Sequence, residues 1–357
     1  MFLTRTILFA LFLLLPFTIF AQEKRFEITK LAAGVYAVIR KDSPGLGSNA
    51  NNVFIINDKD VVVIDTNISP SYTREVLVEL RKLTKKPVRY VINTHWHDDH
   101  INGNQVYRQA FPDVEFIGHA DIQDYMTEKG LENRRQTLNG LPGFITYLRG
   151  LLQKGKSSGG RVLSSEEMQG LANDVGLAER FLKESPALQT ILPSITVTQG
   201  LTLKRGNRVL EILHLGRGHT SGDLIVHLPQ EKIVVTGDLV VYPVPYVGSD
   251  QSYIGDWSAT LDKIIALKPA AIVPGHGPVL RDDSYLKLIS RMFASVEQQT
   301  EAAIARGENL EQAQKSVNIE EFQQQITGES FYRKTIFRSY VAPTSVAAVF
   351  REATTKR

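Results

Sequence analysis

Short apolar runs alternate with longer mixed stretches along the chain, and the period of each run predicts its element. Val35–Ile39, Val53–Ile56 and Val61–Ile64 read as strands, the last two joined across the turn residues Asn57-Asp58-Lys59-Asp60. Ser69-Pro70 reads as an N-cap followed by proline at the first helical position, and Val76, Leu77, Leu80 and Leu83 recur at helical spacing, predicting a helix over Pro70–Thr84. Val88–Thr94 and Val114–Ile117 read as further buried strands. From about Asp121 to Ser194 the texture is helical, with Gly155–Gly160 as a break and Ser164 and Glu167 as a capping box. Strands return at Leu201–Leu203, Val209–Leu213, Leu224–Leu228 and Ile233–Thr236, and helices at Ala259–Leu267 and Tyr285–Arg306. From Asn309 the chain becomes polar and Gln-rich.

That order, a β-rich half, a helical block and a second β-rich half, predicts an α/β core made of two similar modules. We divide the chain into a leader over 1–21, a catalytic domain over 22–280 with a helical insertion at about 121–194, and a helical C-terminal extension over 281–357. The leader has Arg5, an almost unbroken apolar run from Ile7 to Phe20, and a small residue at Ala21. This is the anatomy of a signal peptide cleaved near Ala21, implying a periplasmic or secreted protein with no stable membrane anchoring afterwards.

Composition narrows the chemistry. Among 357 residues, 41 Lys+Arg stand against 38 Asp+Glu, so the formal charge of +3 gives no footprint for nucleic acid. Cysteine is absent, which removes disulfides, thiolate nucleophiles and thiolate-held metals together. The position of the eight histidines then matters most. Four fall in Thr94-His95-Trp96-His97-Asp98-Asp99-His100 and Gly218-His219-Thr220, and a fifth in Pro274-Gly275-His276-Gly277; Asp238 follows Thr236-Gly237. In extended backbone residues two apart share a side, so His95 and His97 can share one ion, while Asp99 and His100 can turn toward another. Imidazole and carboxylate without thiolate suit zinc, iron or manganese.

These ordered motifs, His-x-His-x-Asp-His followed by a histidine, an aspartate and a histidine, resemble the metallo-β-lactamase superfamily over about Phe26 to Leu280. The resemblance implies an αβ/βα four-layer sandwich with the metal site along one edge. It also implies that His95, His97 and His219 hold a first metal, that Asp99, His100 and His276 hold a second, and that Asp238 bridges both. Asp65, just after Val61–Ile64, would orient the ligand loop. Two divalent ions about 3.5–4 Å apart bring the pKa of a water toward ~7, with Asp99 as ligand and proton acceptor. The implied activity is an exported dinuclear zinc hydrolase of a small ester, thioester, lactone or β-lactam. An iron-dependent sulfur dioxygenase and a metal-dependent periplasmic binding protein are the alternatives.

Lactamases of one subclass place cysteine where Asp238 stands, and a substrate-gripping lysine where Val241 stands. The aspartate looks instead like glyoxalase II, lactonases and related esterases. The insertion supplies seven Lys/Arg against four Asp/Glu over Ala120–Val162, an excess small enough to favour packing or homodimerisation over substrate recognition. Leu141, Pro142, Phe144, Ile145, Tyr147 and Leu148 read as core or interface. Tyr242 and Tyr246, in a proline-stiffened loop, are candidate substrate contacts. Trp96 reads as core packing, His119, His214 and His227 as structural, and Asp223 as a brace for the His219 loop.

Overall fold

The computed structural model describes residues 25–41, 49–248 and 250–355. The leader, Met1–Ala21, lies outside the described residues. No helix among those described is long and apolar enough to cross a membrane.

The first half begins as an antiparallel meander of β1 (Phe26–Ala32), β2 (Val35–Arg40), β3 (Asn52–Ile56) and β4 (Val61–Ile64). Helix α1 (Pro70–Leu83) then crosses over to β5 (Val88–Ile92), which pairs parallel to β4. After α2 (Asp98–Ile101) and α3 (Asn104–Ala110), β6 (Glu115–His119) adds in parallel to β5. Next, α4 (Ile122–Asp124) and a π-helical turn at Tyr125–Lys129 lead into α5 (Gly130–Lys154) and α6 (Ser165–Glu184). β7 (Ile195–Val197) closes a seven-stranded sheet. The second half repeats the scheme. β8 (Gly200–Arg205), β9 (Arg208–Leu213), β10 (Ile225–Leu228) and β11 (Ile233–Val241) form a meander. Helix α7 (Ile254–Ala266) then returns the chain to β12 (Ala271–His276), parallel to β11, in a five-stranded sheet. Five helices follow, α8 (Ser284–Ala305), α9 (Leu310–Ser316), α10 (Glu320–Thr327), α11 (Phe331–Tyr340) and α12 (Ala342–Thr355).

Strand alternation explains the layering. In β4 every residue is buried, because Val62 and Ile64 face the second sheet while Val61 and Val63 face helices. The inner core joins Val53, Ile55, Val62 and Ile64 to Leu210, Ile212, Val226 and Val235 of the other sheet. Outside the first sheet, Val76, Leu77 and Leu80 of α1 and Tyr107 of α3 cover Phe54, Val61 and Val63. Outside the second, Trp257 and Leu261 of α7 and Ile289 and Phe293 of α8 cover Val234 and Val240. The order is helices, sheet, sheet, helices: the αβ/βα sandwich.

Several boundaries differ from the periodic reading, each for a local reason. β5 ends at Ile92: Asn93 N still donates to Ile117 O (2.8 Å) while its side chain turns to the His100 carbonyl, and Thr94 N bonds Asp65 Oδ1 instead of a strand. β1 was not visible as a run, since Glu27 and Lys30 interrupt it, and β12 was hidden by Pro274-Gly275. β11 continues past Thr236 to Val241, with irregular pairing on either side of Gly237. Helix α7 starts at Ile254, ahead of Ala259, its first turn masked by Gly255, Asp256 and Ser258. Ser69 stands at the N-cap of α1, but its hydroxyl meets Ser71 Oγ (3.3 Å) and caps no backbone N–H. The capping box at α6 is reciprocal: Ser164 N donates to Glu167 Oε2 (2.7 Å) and Glu167 N to Ser164 Oγ (3.2 Å).

The Gln-rich stretch after Asn309 forms four helices, as the helical C-terminal extension predicts. Their polar faces point outward, while Ala313, Ile326, Phe337, Val341, Val346 and Val349 enter the core shared by α7 and α8. Phe337, only 1% exposed, measures that contribution. Phe337→Ala is expected to cost about 3–5 kcal/mol in urea denaturation, whereas a solvated tail would tolerate the change without effect.

Candidate metal centre

The centre is assembled at the ends of strands, and its loops are held from behind. Asp65, directly after β4, adopts a left-handed backbone (φ 55°), which few residues other than glycine accept without strain. Its carboxylate accepts from Thr94 N (2.8 Å) and Thr94 Oγ1 (2.7 Å) and faces His100 Nδ1 (2.9 Å). The Asn93 side chain donates to the His100 carbonyl (2.9 Å). The histidine loop is thereby fixed at both ends. Asp238 projects from β11 beside the irregularity at Gly237, and His276 ends β12. Gly275 is obligatory between them, since a Cβ there would lie 1.9 Å from Asp238 Oδ1.

Two groups of donor atoms result. His97 Nδ1 lies 3.0 Å from His95 Nε2 and 2.9 Å from His219 Nε2. Asp238 Oδ2 faces this trio, 3.5 Å from His219 Nε2 and 3.9 Å from His95 Nε2. Its other oxygen, Oδ1, faces the second group, 3.2 Å from His100 Nε2 and 3.3 Å from His276 Nε2. Asp99 Oδ2 completes that group, 3.2 Å from His276 Nε2 and 3.6 Å from His100 Nε2. Within the set His95, His97, His219 and Asp238, and within the set Asp99, His100 and His276, the ligand atoms lie within 4.8 Å of one another.

Outer partners decide which ring nitrogen points inward. His219 Nδ1 meets the Tyr246 carbonyl (3.1 Å), His95 Nδ1 meets Thr94 Oγ1 (3.1 Å), and His100 Nδ1 meets Asp65. With those nitrogens engaged, the Nε2 lone pairs of the three rings face the centre. His97 is turned the other way, its Nε2 beside Gln251 (2.9 Å) and its Nδ1 inward. The residues fit a cation. His100 Nε2 and Asp238 Oδ1 are buried and close, yet neither makes an aligned hydrogen bond. Both address the same space, as ligands do.

Residues 46–276 match the sequence profile of the family described as Metallo-beta-lactamase superfamily. The chain belongs to this superfamily. It is 27% identical over 237 residues to a linear primary-alkylsulfatase of Pseudomonas sp., across 65% of this chain but only 42% of that protein. It is 22% identical over 284 residues to a type 2 metallo-beta-lactamase of Bacteroides fragilis, across 76% of this chain and 90% of that one. Among solved structures, a metallo-beta-lactamase from Pontibacter korlensis aligns with a TM-score of 0.50 at 19% identity, covering 75% of this chain and 99% of that one. Membership makes the chain a metal-dependent hydrolase with the metallo-beta-lactamase fold.

In this superfamily member the buried charges are unevenly distributed. Burial, reinforced by His100 and His97, holds the pKa of His95 well below the ordinary imidazole value. Burial and then His97 press His219 down to about 3. Burial also dominates at His97, which is lowered. These rings are neutral, as ligands must be. In the second group burial opposes charge as well, but Asp238, Asp99 and Asp65 overcome it and push His100 well upward. Asp238 and Asp99 likewise raise His276 to about 10. Burial alone would protonate the carboxylates, yet His276 and His100 draw Asp238 well below the carboxylate range, and His100 and His276 lower Asp99. Protons on His100 and His276 thus balance two carboxylates until a cation displaces them.

The surroundings account for most of the remaining expectations. Trp96 is buried with Ile101, Ile122 and Met126 and stacks on Tyr125 (4.9 Å), while its edge also touches His97. Asp223 accepts from Thr220 N (2.8 Å) and Oγ1 (2.7 Å), bracing the His219 loop. His119 and His214 lie ring against ring (4.4 Å, tilted by 41°) and His227 meets Glu211 (2.8 Å), and none of the three belongs to either group of donor atoms. Tyr242 and Tyr246 border the cavity above it.

Other contributors went unread. Gln251 touches His97, and Arg134 donates to both oxygens of Asp98 and to Asn102 Oδ1 (2.8 Å), tying the insertion to the histidine loop. From the C-terminal helices, Arg351 donates to the Ser252 carbonyl and Tyr340 O accepts from Val247 N (3.1 Å). None of these pairs has a signature in sequence spacing; the excess of basic residues in the insertion was the one hint of Arg134.

Two outcomes follow. A divalent cation bound there must displace the protons on His100 and His276, so affinity for added zinc is expected to rise with pH up to about 10 and to fall as pH drops. Calorimetric titration at pH 7, in buffers of different ionisation enthalpy, is expected to register about two protons released per chain. Asp65→Asn tolerates the left-handed backbone but cannot accept from both Thr94 donors and His100 with full charge. Chelator competition should find zinc held about 10–100-fold more weakly in that variant.

Proposed function

We propose that this chain is an exported dinuclear zinc hydrolase of a small ester, thioester or related acyl compound. The observation that carries the reading is Asp238, whose two oxygens face two separate groups of nitrogens. His95, His97 and His219 would hold one ion, Asp99, His100 and His276 the other, with Asp238 shared. Bound there, two divalent ions polarise a carbonyl oxygen and make a water acidic enough to react near neutrality.

The residues supply the rest. Asp99 is ionised at neutral pH, because His100 and His276 lower its pKa against burial. It is therefore ready to take the proton of the attacking water at its carboxylate and later to return it to the leaving group. Asp65 and the Tyr246 carbonyl hold His100 and His219 in place, so little reorganisation accompanies the reaction. Tyr242 and Tyr246, 37% and 39% exposed at the cavity rim, are positioned to contact the substrate. The apolar leader, with its small residue at Ala21, supports export to a periplasm or the medium.

The test uses residues 22–357 purified with zinc, assayed for metal per chain and for hydrolysis of nitrocefin, lactones and thioesters. Two zinc ions and turnover of at least one class are expected. His97→Ala should lower kcat/KM by more than about 100-fold and reduce the bound zinc. A single iron with oxygen consumption, or ligand binding without turnover, overturns the reading.

A further inference from the structure

The cavity that opens on His97, Asp99, Asp238 and His276 has a volume of about 1120 Å³. Small-molecule sites commonly occupy ~300–1,000 Å³, so a compact substrate at the metal ligands would leave much of this one unfilled. β1 and β2 of the sandwich border it with Glu27, Ile39 and Arg40, and the apolar wall comes mostly from helices outside the sandwich. α5 contributes Leu141 and Phe144, α6 contributes Leu177, Ala178 and Phe181, and α11 contributes Ile336. Leu141, Ala178 and Phe181 form one apolar cluster, against which Phe144 packs half-buried.

The two arginines that the helices bring to these walls are already engaged. Arg134 is held by Asp98 and Asn102, and Arg333 by Glu166 (2.9 Å). Asp174, also at the cavity, adds negative charge rather than a site for an anion. Beside polar Asn133, Gln136 and Thr137, these helices offer a ligand an apolar surface that lines the same cavity as the metal ligands. A substrate gains from that surface only by bringing apolar area to it.

We propose that the substrate is an ester or thioester of an unbranched, medium-length acyl chain, laid along α5, α6 and α11 with its carbonyl at the metal ligands. This rests on the hydrolytic reading above. In the reaction, water adds its oxygen to the carbonyl carbon, and the bond from that carbon to the alcohol oxygen or thiol sulfur breaks. One proton of the water passes to the leaving alcohol or thiol, and the fatty acid departs. No other reactant is needed.

The experiment measures zinc-loaded protein against 4-nitrophenyl acetate, butyrate, hexanoate and octanoate. The expected kcat/KM rises by up to about fourfold per methylene as the chain covers the apolar wall. Calorimetric binding of butanoate and octanoate, which needs no turnover, should favour octanoate. Turnover that is independent of chain length keeps the hydrolase and overturns the acyl site. Preference for octanoate without turnover of any ester keeps the acyl site and overturns the hydrolase. Ala178→Phe, which fills the wall, and Phe144→Asp, which charges it at a half-buried position, should each cut the octanoate-to-acetate ratio about tenfold. A thermal melt shows which of the two folds, and an unchanged ratio in a folded variant overturns the proposal.

Discussion

Two carboxylates, Asp238 buried and Asp99 half-buried, stand among five imidazoles and impose the constraint to which the rest of the structure answers. Asp99 and Asp238 stay ionised only where positive charge meets them, and burial makes an uncompensated charge expensive. The fold responds with geometry. Each ring is turned by an outer partner, each ligand loop leaves a strand end, and Gly275 clears the space in which Asp238 presents its two faces. The left-handed conformation of Asp65 belongs to the same response, since in it one carboxylate serves both Thr94 and His100.

How much of this the chain discloses depends on the kind of interaction. β4 is legible to the residue, since a strand covered on both faces must be continuously apolar. The ligand positions are legible because metal chemistry needs particular residue types at strand ends, and the absence of cysteine left few candidates. β1 and β12 are not, because Glu27 and Lys30 in one and Pro274-Gly275 in the other obscure the period. Helices α9–α12 are short and polar outside, so their apolar positions emerge only once a core exists for them to enter. Gln251 beside His97 and Arg134 beside Asp98 depend on contacts between distant segments, which no local pattern records.

The insertion shows how a modest sequence signal divides between two roles. Leu141 and Ile145 do pack against Ala178 and Phe181, as the apolar spacing implies. Yet Leu141, Ala178 and Phe181 also border the cavity, as do Phe144 and residues of α11. Packing and pocket lining are two faces of one helical pair. The sandwich supplies the metal ligands, and segments outside its repeated scheme supply most of the apolar wall.

The loop between β11 and α7 is fastened on two sides. On one, the Tyr246 carbonyl and Gln251 touch the imidazoles of His219 and His97; on the other, Arg351 and Tyr340 grip Ser252 and Val247. The two sides are thereby linked through one loop. The histidine loop near residue 97 is held in part by a loop that Arg351, some 250 positions later, fastens in turn. The orientation of His97 therefore depends on contacts that reach across most of the chain, and a change confined to the last helix can alter the centre without touching a ligand.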